Sequence, residues 1–114
     1  MSPSDLVRLR HMLDAAREAV VFGAGRRAAE LHRDRLLTLA LLKCIEIVGE
    51  AASKISRETH ADHPEIPWLD IIGMRHRLIH AYFDIDFDRV SDTIAEDLPP
   101  LIASLERIVG ETSE

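Results

Sequence analysis

The densest group of polar side chains within an apolar stretch of this chain lies between residues 75 and 82. The segment reads Arg75-His76-Arg77-Leu78-Ile79-His80-Ala81-Tyr82. A histidine titrates near neutral pH and can transfer protons, whereas an arginine can bind a phosphate and stabilise developing charge. Together these residue types suit cleavage of a phosphodiester without a metal ion. In RNA the 2′-hydroxyl is a built-in nucleophile that needs only a base to activate it and an acid for the leaving oxygen.

Helix geometry limits how this segment can work if it is one straight helix. At about 100° per residue, Arg75 and His80 point roughly 140° apart, so they do not share a face. His76 and His80 share one face, and Arg75 and Tyr82 share another. A bent helix could bring Arg75 and His80 together, and Gly73 lies nearby. A two-fold dimer that places the segment against its own copy would do so better.

The composition favours a helical protein. The chain has 114 residues, of which 46% are hydrophobic and only 4% aromatic. This length predicts one domain over residues 1–114, and the abundance of Leu, Ile and Ala predicts helices rather than strands. The single cysteine, Cys44, lies in an apolar stretch and is interpreted as a buried core thiol. Without a disulfide framework, the chain suits a reducing cytosol.

The charge is distributed unevenly. The net charge of −6 at first disfavours a nucleic-acid partner. However, residues 84–114 hold nine acidic and two basic side chains, whereas residues 1–83 hold eleven acidic and twelve basic ones. Twelve of the fourteen basic residues are arginine, which binds phosphate in a bidentate way. The acidity therefore belongs to the C-terminal quarter and does not exclude an RNA substrate.

The first half of the chain predicts two long helices. Ser2 is a good cap for a helix that begins near Pro3, and Asp5 has the spacing of a capping box. Glycines after Phe22 end this helix. A second, longer helix is predicted to begin between residues 27 and 34 and to run to about Arg57. Gly49 inside it suggests close approach of another helix, since glycine otherwise destabilises a helix.

The second half predicts a polar loop over residues 60–67, with His60 and His63 in the loop rather than in a metal site. A third helix is expected from residue 67 to about residue 82. A turn over residues 84–86 then leads to a fourth helix capped by Asp86. Pro99-Pro100 must kink or restart the chain before a last helix. No strand pattern is visible, so the predicted fold is all-α, an antiparallel bundle of four to five helices.

The spacing Arg, four residues, His, any residue, Tyr near the end of a predicted helix resembles the HEPN superfamily. More narrowly, it resembles HepT, the toxin partner of a minimal nucleotidyltransferase antitoxin. The likeness covers nearly the whole chain, through residues 47–52, 66–75, 80–86 and 97–99. Residues 1–30 match only as an amphipathic helix.

The resemblance implies a cytoplasmic, metal-independent RNA endonuclease that acts as a homodimer within a type II toxin-antitoxin module. Arg75 and His80 would be the catalytic pair in a cleft at the dimer interface. From their place beside Arg75, His76 and Arg77 are expected to bind the RNA substrate, the alternative being that they lie on a solvated face. Tyr82 would be the hydroxyl that the nucleotidyltransferase antitoxin modifies with AMP. A bulky, negative AMP group beside the cleft would block and repel an RNA phosphate. No cofactor or metal ion is implied.

Two other functions fit the same residues. The chain could be a non-catalytic helical partner subunit of a nucleotidyltransferase, or a purely structural dimer with a polar interface network. In those cases His80 is a core or interface histidine, and Arg75 forms an ion pair, for example with Glu50. Tyr82 is then an aromatic anchor at the helix end. The longest apolar run, residues 36–42, is too short to span a bilayer, and no leader peptide is visible at the N-terminus.

Overall fold

The computed structural model describes residues 1–81 and 84–112 and is almost entirely helical. The α-helices are α1 (Pro3–Gly23), α2 (Ala28–Arg33), α3 (Arg35–Lys54), α4 (Arg57–Asp62), α5 (Trp68–Ile72), α6 (Met74–Leu78), α7 (Phe87–Asp92) and α8 (Leu98–Thr112). A π-helical turn over Thr93–Asp97 joins α7 to α8, and two short strands, β1 (Ile79–Ala81) and β2 (Asp84–Ile85), form an antiparallel hairpin. The predicted all-α fold is confirmed.

The core forms where α1 packs along α3 and α8. Side chains such as Leu9 of α1, Val48 of α3 and Leu105 of α8 are completely buried there. α1 and α3 run antiparallel, because Asp5 meets Ser56 at one end of the pair and Gly23 lies beside Leu41 at the other. Cys44 is buried in this core, as predicted, and burial raises the pKa of its thiol, with a further rise from the nearby Glu18. No helix among the described residues is long and apolar enough to cross a membrane.

The N-terminal cap of α1 agrees with one of the two hydrogen bonds that the predicted capping box requires. The Ser2 hydroxyl accepts a hydrogen bond from the Asp5 amide at 3.1 Å, which confirms the cap. The rest of the predicted capping box is wrong, because the Asp5 carboxylate does not return to Ser2. It accepts bonds from the Ser56 amide and hydroxyl and from the Thr59 hydroxyl instead. Three donors on the first turn of α4 hold this carboxylate more strongly than one backbone amide would.

The predicted second helix is divided and shorter than expected. It breaks at Asp34, whose carboxylate accepts from the Leu37 amide and so caps α3, while Arg26 binds the same carboxylate at 3.1 Å. α3 ends at Lys54, and Ser56 then caps the separate helix α4. The prediction of a polar loop from residue 60 is therefore wrong up to Asp62. Ser and Asp redirect the chain at both points because their oxygens bind the free amides of the next helix.

The third predicted helix departs most from expectation. It breaks at Gly73, ends at Leu78 and continues as strand β1, so the prediction of one helix to residue 82 and of no strand is wrong. The interruption lies at Gly73, the residue near which the sequence allowed for a bend. The close approach expected at Gly49 is confirmed, because a Cβ there would lie 3.1 Å from the Ile71 carbonyl oxygen. This contact seats the end of α5 directly on the backbone of α3.

The C-terminal helices follow the prediction with one difference. Asp86 caps α7 by accepting from the Arg89 amide at 3.0 Å, as predicted. The chain does not restart at Pro99-Pro100, because helix continues through both prolines. The preceding turn, Thr93–Asp97, widens to a π-helix. Proline clashes with the carbonyl four residues earlier, so a wider turn at that point accommodates both rings.

Candidate active site

α6 buries one of its sides and exposes its polar residues to solvent. Met74 and Leu78 are 5% and 0% exposed, whereas Arg75, His76 and Arg77 are all exposed. α5 before it is anchored by Trp68, whose indole nitrogen donates to two backbone carbonyls of the preceding turn. Trp68 is therefore a buried anchor at the start of α5. Buried residues four apart fix which face of α6 reaches solvent, and Arg75 lies on that face.

His80 is positioned by the hairpin rather than by a helix. In a strand successive side chains alternate, and here Ile79 is half-buried while His80 is exposed. The hairpin is tied down where the Asp86 amide donates to the Leu78 carbonyl at 2.9 Å. Because the helix stops at Leu78, the angle of roughly 140° expected between Arg75 and His80 on a straight helix does not apply.

Arg75 and His80 lie on adjoining elements and both reach solvent. Three helical steps and two extended steps separate their Cα atoms by roughly 12 Å at most. They do not hydrogen-bond each other, and within the described part of the chain neither has an ion-pair partner. Glu50, the alternative partner for Arg75, binds Lys54 instead at 3.2 Å. The alternative of His80 as a core histidine is wrong, because the side chain is exposed.

The other predicted site residues have different surroundings. His76 is exposed on α6. The Arg77 guanidinium is engaged by Asp70: Nη2 donates to the Asp70 carbonyl oxygen at 2.6 Å, and Nη1 lies 3.7 Å from its carboxylate. The sequence did not predict this contact, although Asp and Arg seven apart around a glycine were a possible signal. Tyr82 lies outside the described residues.

A groove of about 700 Å³ runs beside α5 and α6 toward the π-helical turn and α8. Its floor consists of buried apolar side chains, including Ile71, Met74 and Leu101. Arg77 and Arg89 are its two basic lining residues, and its acidic lining residues are Glu65, Asp70, Asp86, Asp92, Glu96 and Asp97. The groove therefore disfavours phosphate and differs in charge from the exposed face that holds Arg75.

The histidines of the 60–67 region have structural contacts. The His60 ring stacks on Trp68 with 4.2 Å between ring centres, and its Nε2 lies 3.0 Å from the Ala52 carbonyl oxygen. His63 Nδ1 lies 3.4 Å from a Glu65 carboxylate oxygen. Across residues 1–81 and 84–112 no group of three or more His, Cys, Asp or Glu side chains is arranged to hold a metal ion.

The helical bundle and its exposed Arg-x4-His segment define a class of protein, which comparison with known sequences identifies. The family described as HepT-like ribonucleases matches residues 12–108, so the chain belongs to the HepT-like ribonuclease family. This confirms the predicted family and the predicted enzyme class, a ribonuclease.

Individual relatives agree with this assignment. A protein named "Probable ribonuclease HepT" from Thermococcus cleftensis is 39% identical over 75 residues, which are 66% of this chain and 68% of that protein. A protein named as a candidate RNase in Caldanaerobacter subterraneus is 31% identical over 101 residues, which are 89% of this chain and 90% of that protein. Another candidate RNase, from Methanocaldococcus jannaschii, is 32% identical over 85 residues, which are 75% of this chain and 73% of that protein. No solved structure gives a significant match.

Proposed function

We propose that this protein is a metal-independent RNA endonuclease that acts as a homodimer and is the toxin of a two-gene module. The observation that carries the proposal is the pair Arg75 and His80. In a chain of a ribonuclease family, both lie exposed on adjoining elements, and neither is neutralised by an ion pair within the described residues. A phosphate bridging their side chains would supply the missing counter-charge.

The chemistry follows from the two side chains. Arg75 holds the scissile phosphate and stabilises the charge that builds on its oxygens. A proton passes from the attacking 2′-hydroxyl to the leaving 5′ oxygen: His80 accepts it from the first or donates it to the second, and water carries out the other transfer. The bond from the 2′ oxygen to phosphorus forms as the bond from phosphorus to the 5′ oxygen breaks. The products are a 2′,3′-cyclic phosphate and a free 5′-hydroxyl, and no oxidant or metal is consumed. His76, exposed beside Arg75, contacts the RNA.

The proposed module includes a minimal nucleotidyltransferase antitoxin in the same cytoplasm. Tyr82 follows His80 by two residues, so AMP on its hydroxyl would place a phosphate close to the proposed site. The added negative charge would compete with RNA for Arg75 and block the cleft. Incubation with the antitoxin and ATP should then add AMP to the parent protein and not to Tyr82→Phe, as read by intact mass.

The deciding experiment is cleavage of end-labelled RNA in EDTA by the parent, Arg75→Ala and His80→Ala, with intact mass showing Tyr82 unmodified. Both substituted side chains are exposed, so the variants should keep the parent's thermal unfolding temperature. Loss of the proton-transfer group should slow cleavage on the order of 10²- to 10⁴-fold. Absence of cleavage by the folded, unmodified parent across varied RNAs would contradict the proposal and favour the non-catalytic nucleotidyltransferase-partner function.

A further inference from the structure

The contact between Arg77 and Asp70 crosses the break between α5 and α6. Arg77 Nη2 donates to the Asp70 carbonyl oxygen at 2.6 Å, and Nη1 lies 3.7 Å from the Asp70 carboxylate. Nη1 would also lie 3.9 Å from a Cβ placed on Gly73, so the guanidinium lies over the break itself. The last carbonyls of a helix lack intrahelical donors, and Asp70 is in the last turn of α5. Arg77 supplies the donor that the interrupted helix lacks.

α6 needs such a brace to hold one orientation. It has only five residues, too few for a helix to be stable without tertiary contacts. Its two buried side chains, Met74 and Leu78, are four apart and therefore lie along one line. The bond from the Asp86 amide to the Leu78 carbonyl also holds the C-terminal end of α6, so rocking about that line is resisted least at the Gly73 end. The bond from Arg77 to the Asp70 carbonyl adds a point of attachment across the Gly73 break, away from that line.

Arg75 and Arg77 lie on opposite flanks of α6. At about 100° per residue, Arg75 projects about 80° to one side of the line through Met74 and Leu78, and Arg77 about 80° to the other. Rocking of α6 would therefore swing Arg75 directly. The same geometry separates Arg77 from a phosphate held by Arg75.

The charge around Arg77 also disfavours RNA. Arg77 lines the acidic groove described above, whereas Arg75, His76 and His80 do not. Six carboxylates line that groove against two arginines. A phosphate approaching Arg77 would meet these carboxylates and would have to displace Asp70, so its binding there is unfavourable.

We propose that Arg77 is a positioning residue: by bonding the Asp70 carbonyl across the Gly73 break, it holds α6 so that Arg75 faces the scissile phosphate. This inference rests on the proposed ribonuclease function. It assigns Arg77 a role other than the RNA contact expected from the sequence. A misplacement of about 1 Å can slow catalysis about 100-fold, so a loosened α6 affects turnover more than binding.

The test compares Arg77→Lys and Arg77→Met in the homogeneous, unmodified protein. Lysine keeps the charge but not the planar fork, and its shorter reach loses the Asp70 carbonyl. Methionine keeps most of the apolar stem and no donor. For a positioning residue, both variants should lower kcat on the order of 10- to 100-fold with KM and the salt dependence of RNA binding unchanged. Asp70→Asn keeps the backbone carbonyl that Arg77 binds, so it should lower kcat less than either Arg77 variant does.

A phosphate contact predicts a different pattern. Arg77→Lys would then stay close to the parent, whereas Arg77→Met would raise KM and lower the salt slope of RNA binding by about one, and this result would overturn the inference. Arg57→Met is the matched control, because Arg57 is exposed on α4, away from this joint, and its kcat should equal the parent's. If the parent cleaves no RNA, the proposed function fails. If the parent cleaves and only KM responds to Arg77, the inference alone fails.

Discussion

Asp5 fastens the start of α1 to the start of α4. Its side chain is 4% exposed and accepts from the Ser56 hydroxyl at 2.5 Å, the Thr59 hydroxyl at 2.7 Å and the Ser56 amide at 3.1 Å. Burial acts to raise the pKa of this carboxyl, but the three hydrogen bonds, aided by Arg8, hold the pKa below its usual value. The group therefore stays charged in the folded protein.

This lowered pKa makes the stability of the protein depend on pH. A carboxyl whose folded pKa lies below its unfolded pKa stabilises the fold above the unfolded value, and the contribution is lost as the pH falls through the folded value. Asp5→Asn should reduce the free energy of unfolding at neutral pH by about 2 kcal/mol, because charged hydrogen bonds are lost. The deficit should shrink below about pH 4, near the ordinary pKa of aspartate.

Urea unfolding of the parent and Asp5→Asn at several pH values measures this difference. Asp14→Asn is the control, because Asp14 lies exposed on the same helix, and its unfolding should match the parent's at every pH. An equal deficit for Asp5→Asn at neutral and acid pH would show that shape, rather than charge, matters at this position. The sequence indicated the Ser2 cap three residues away, but nothing local indicated donors 51 residues away.

At the scale of helices and strands, the long helices and the Asp86-capped α7 could be predicted, whereas the separate helices α4, α5 and α6 could not. α1, α3 and α8 each repeat apolar residues over several turns, and that pattern predicts a helix. In residues 68–78 the apolar positions fit one helix as well as two, and the contact of the end of α5 with Gly49 is not visible in the local sequence. A hairpin with strands of three and two residues is too short to show alternation. The region holding Arg75 and His80 was thus the least predictable.

The approach of α5 to Gly49 gives a test at this scale. Alanine favours a helix over glycine by about 1 kcal/mol, but a Cβ at Gly49 would lie 3.1 Å and 3.5 Å from the Ile71 and Ile72 carbonyl oxygens. Backbone atoms cannot rotate away, and overpacking costs about 2 kcal/mol. Gly49→Ala should therefore lower the free energy of unfolding by about 1 kcal/mol.

Gly110→Ala in α8 is the matched comparison for Gly49→Ala. Nothing lies within 4 Å of a Cβ at Gly110, so only the helix preference acts there, and this variant should be more stable by about 0.5 kcal/mol. Urea denaturation of both variants measures whether each substitution raises or lowers the free energy of unfolding. A stabilised Gly49→Ala protein would mean that α5 can move away from α3. The rate of RNA cleavage by that variant would then show whether the movement had displaced Arg75.

At the scale of the whole molecule, charge is separated across α6. The excess of acidic residues in the C-terminal quarter could be counted from the sequence. Its location could not, because that depends on how α7, the π-helical turn and α8 pack beside α5. In the fold four of these carboxylates, those of Asp86, Asp92, Glu96 and Asp97, line the groove on the Arg77 flank, and Arg75 is exposed on the other flank. RNA should therefore approach from the Arg75 flank, and in the proposed dimer the second protomer would lie on that side.

The proposed dimer can be tested by mixing two inactive proteins. If the cleft pairs Arg75 of one protomer with His80 of its partner, a dimer of Arg75→Ala with His80→Ala has one intact cleft and one doubly altered cleft. Unfolding and refolding the two variants together in equal amounts makes half of the dimers mixed. Cleavage should then recover to about one quarter of the parent's rate.

Each variant refolded alone is the control and should stay inactive, while sedimentation confirms that dimers form in every sample. Mixed dimers without recovery would show that Arg75 and His80 act within one protomer, which the extended chain after Leu78 also permits. A protein that remains monomeric while cleaving RNA would contradict the dimeric cleft altogether. Recovery near one quarter would instead show that the fold places Arg75 and His80 on adjoining elements so that two chains can share them.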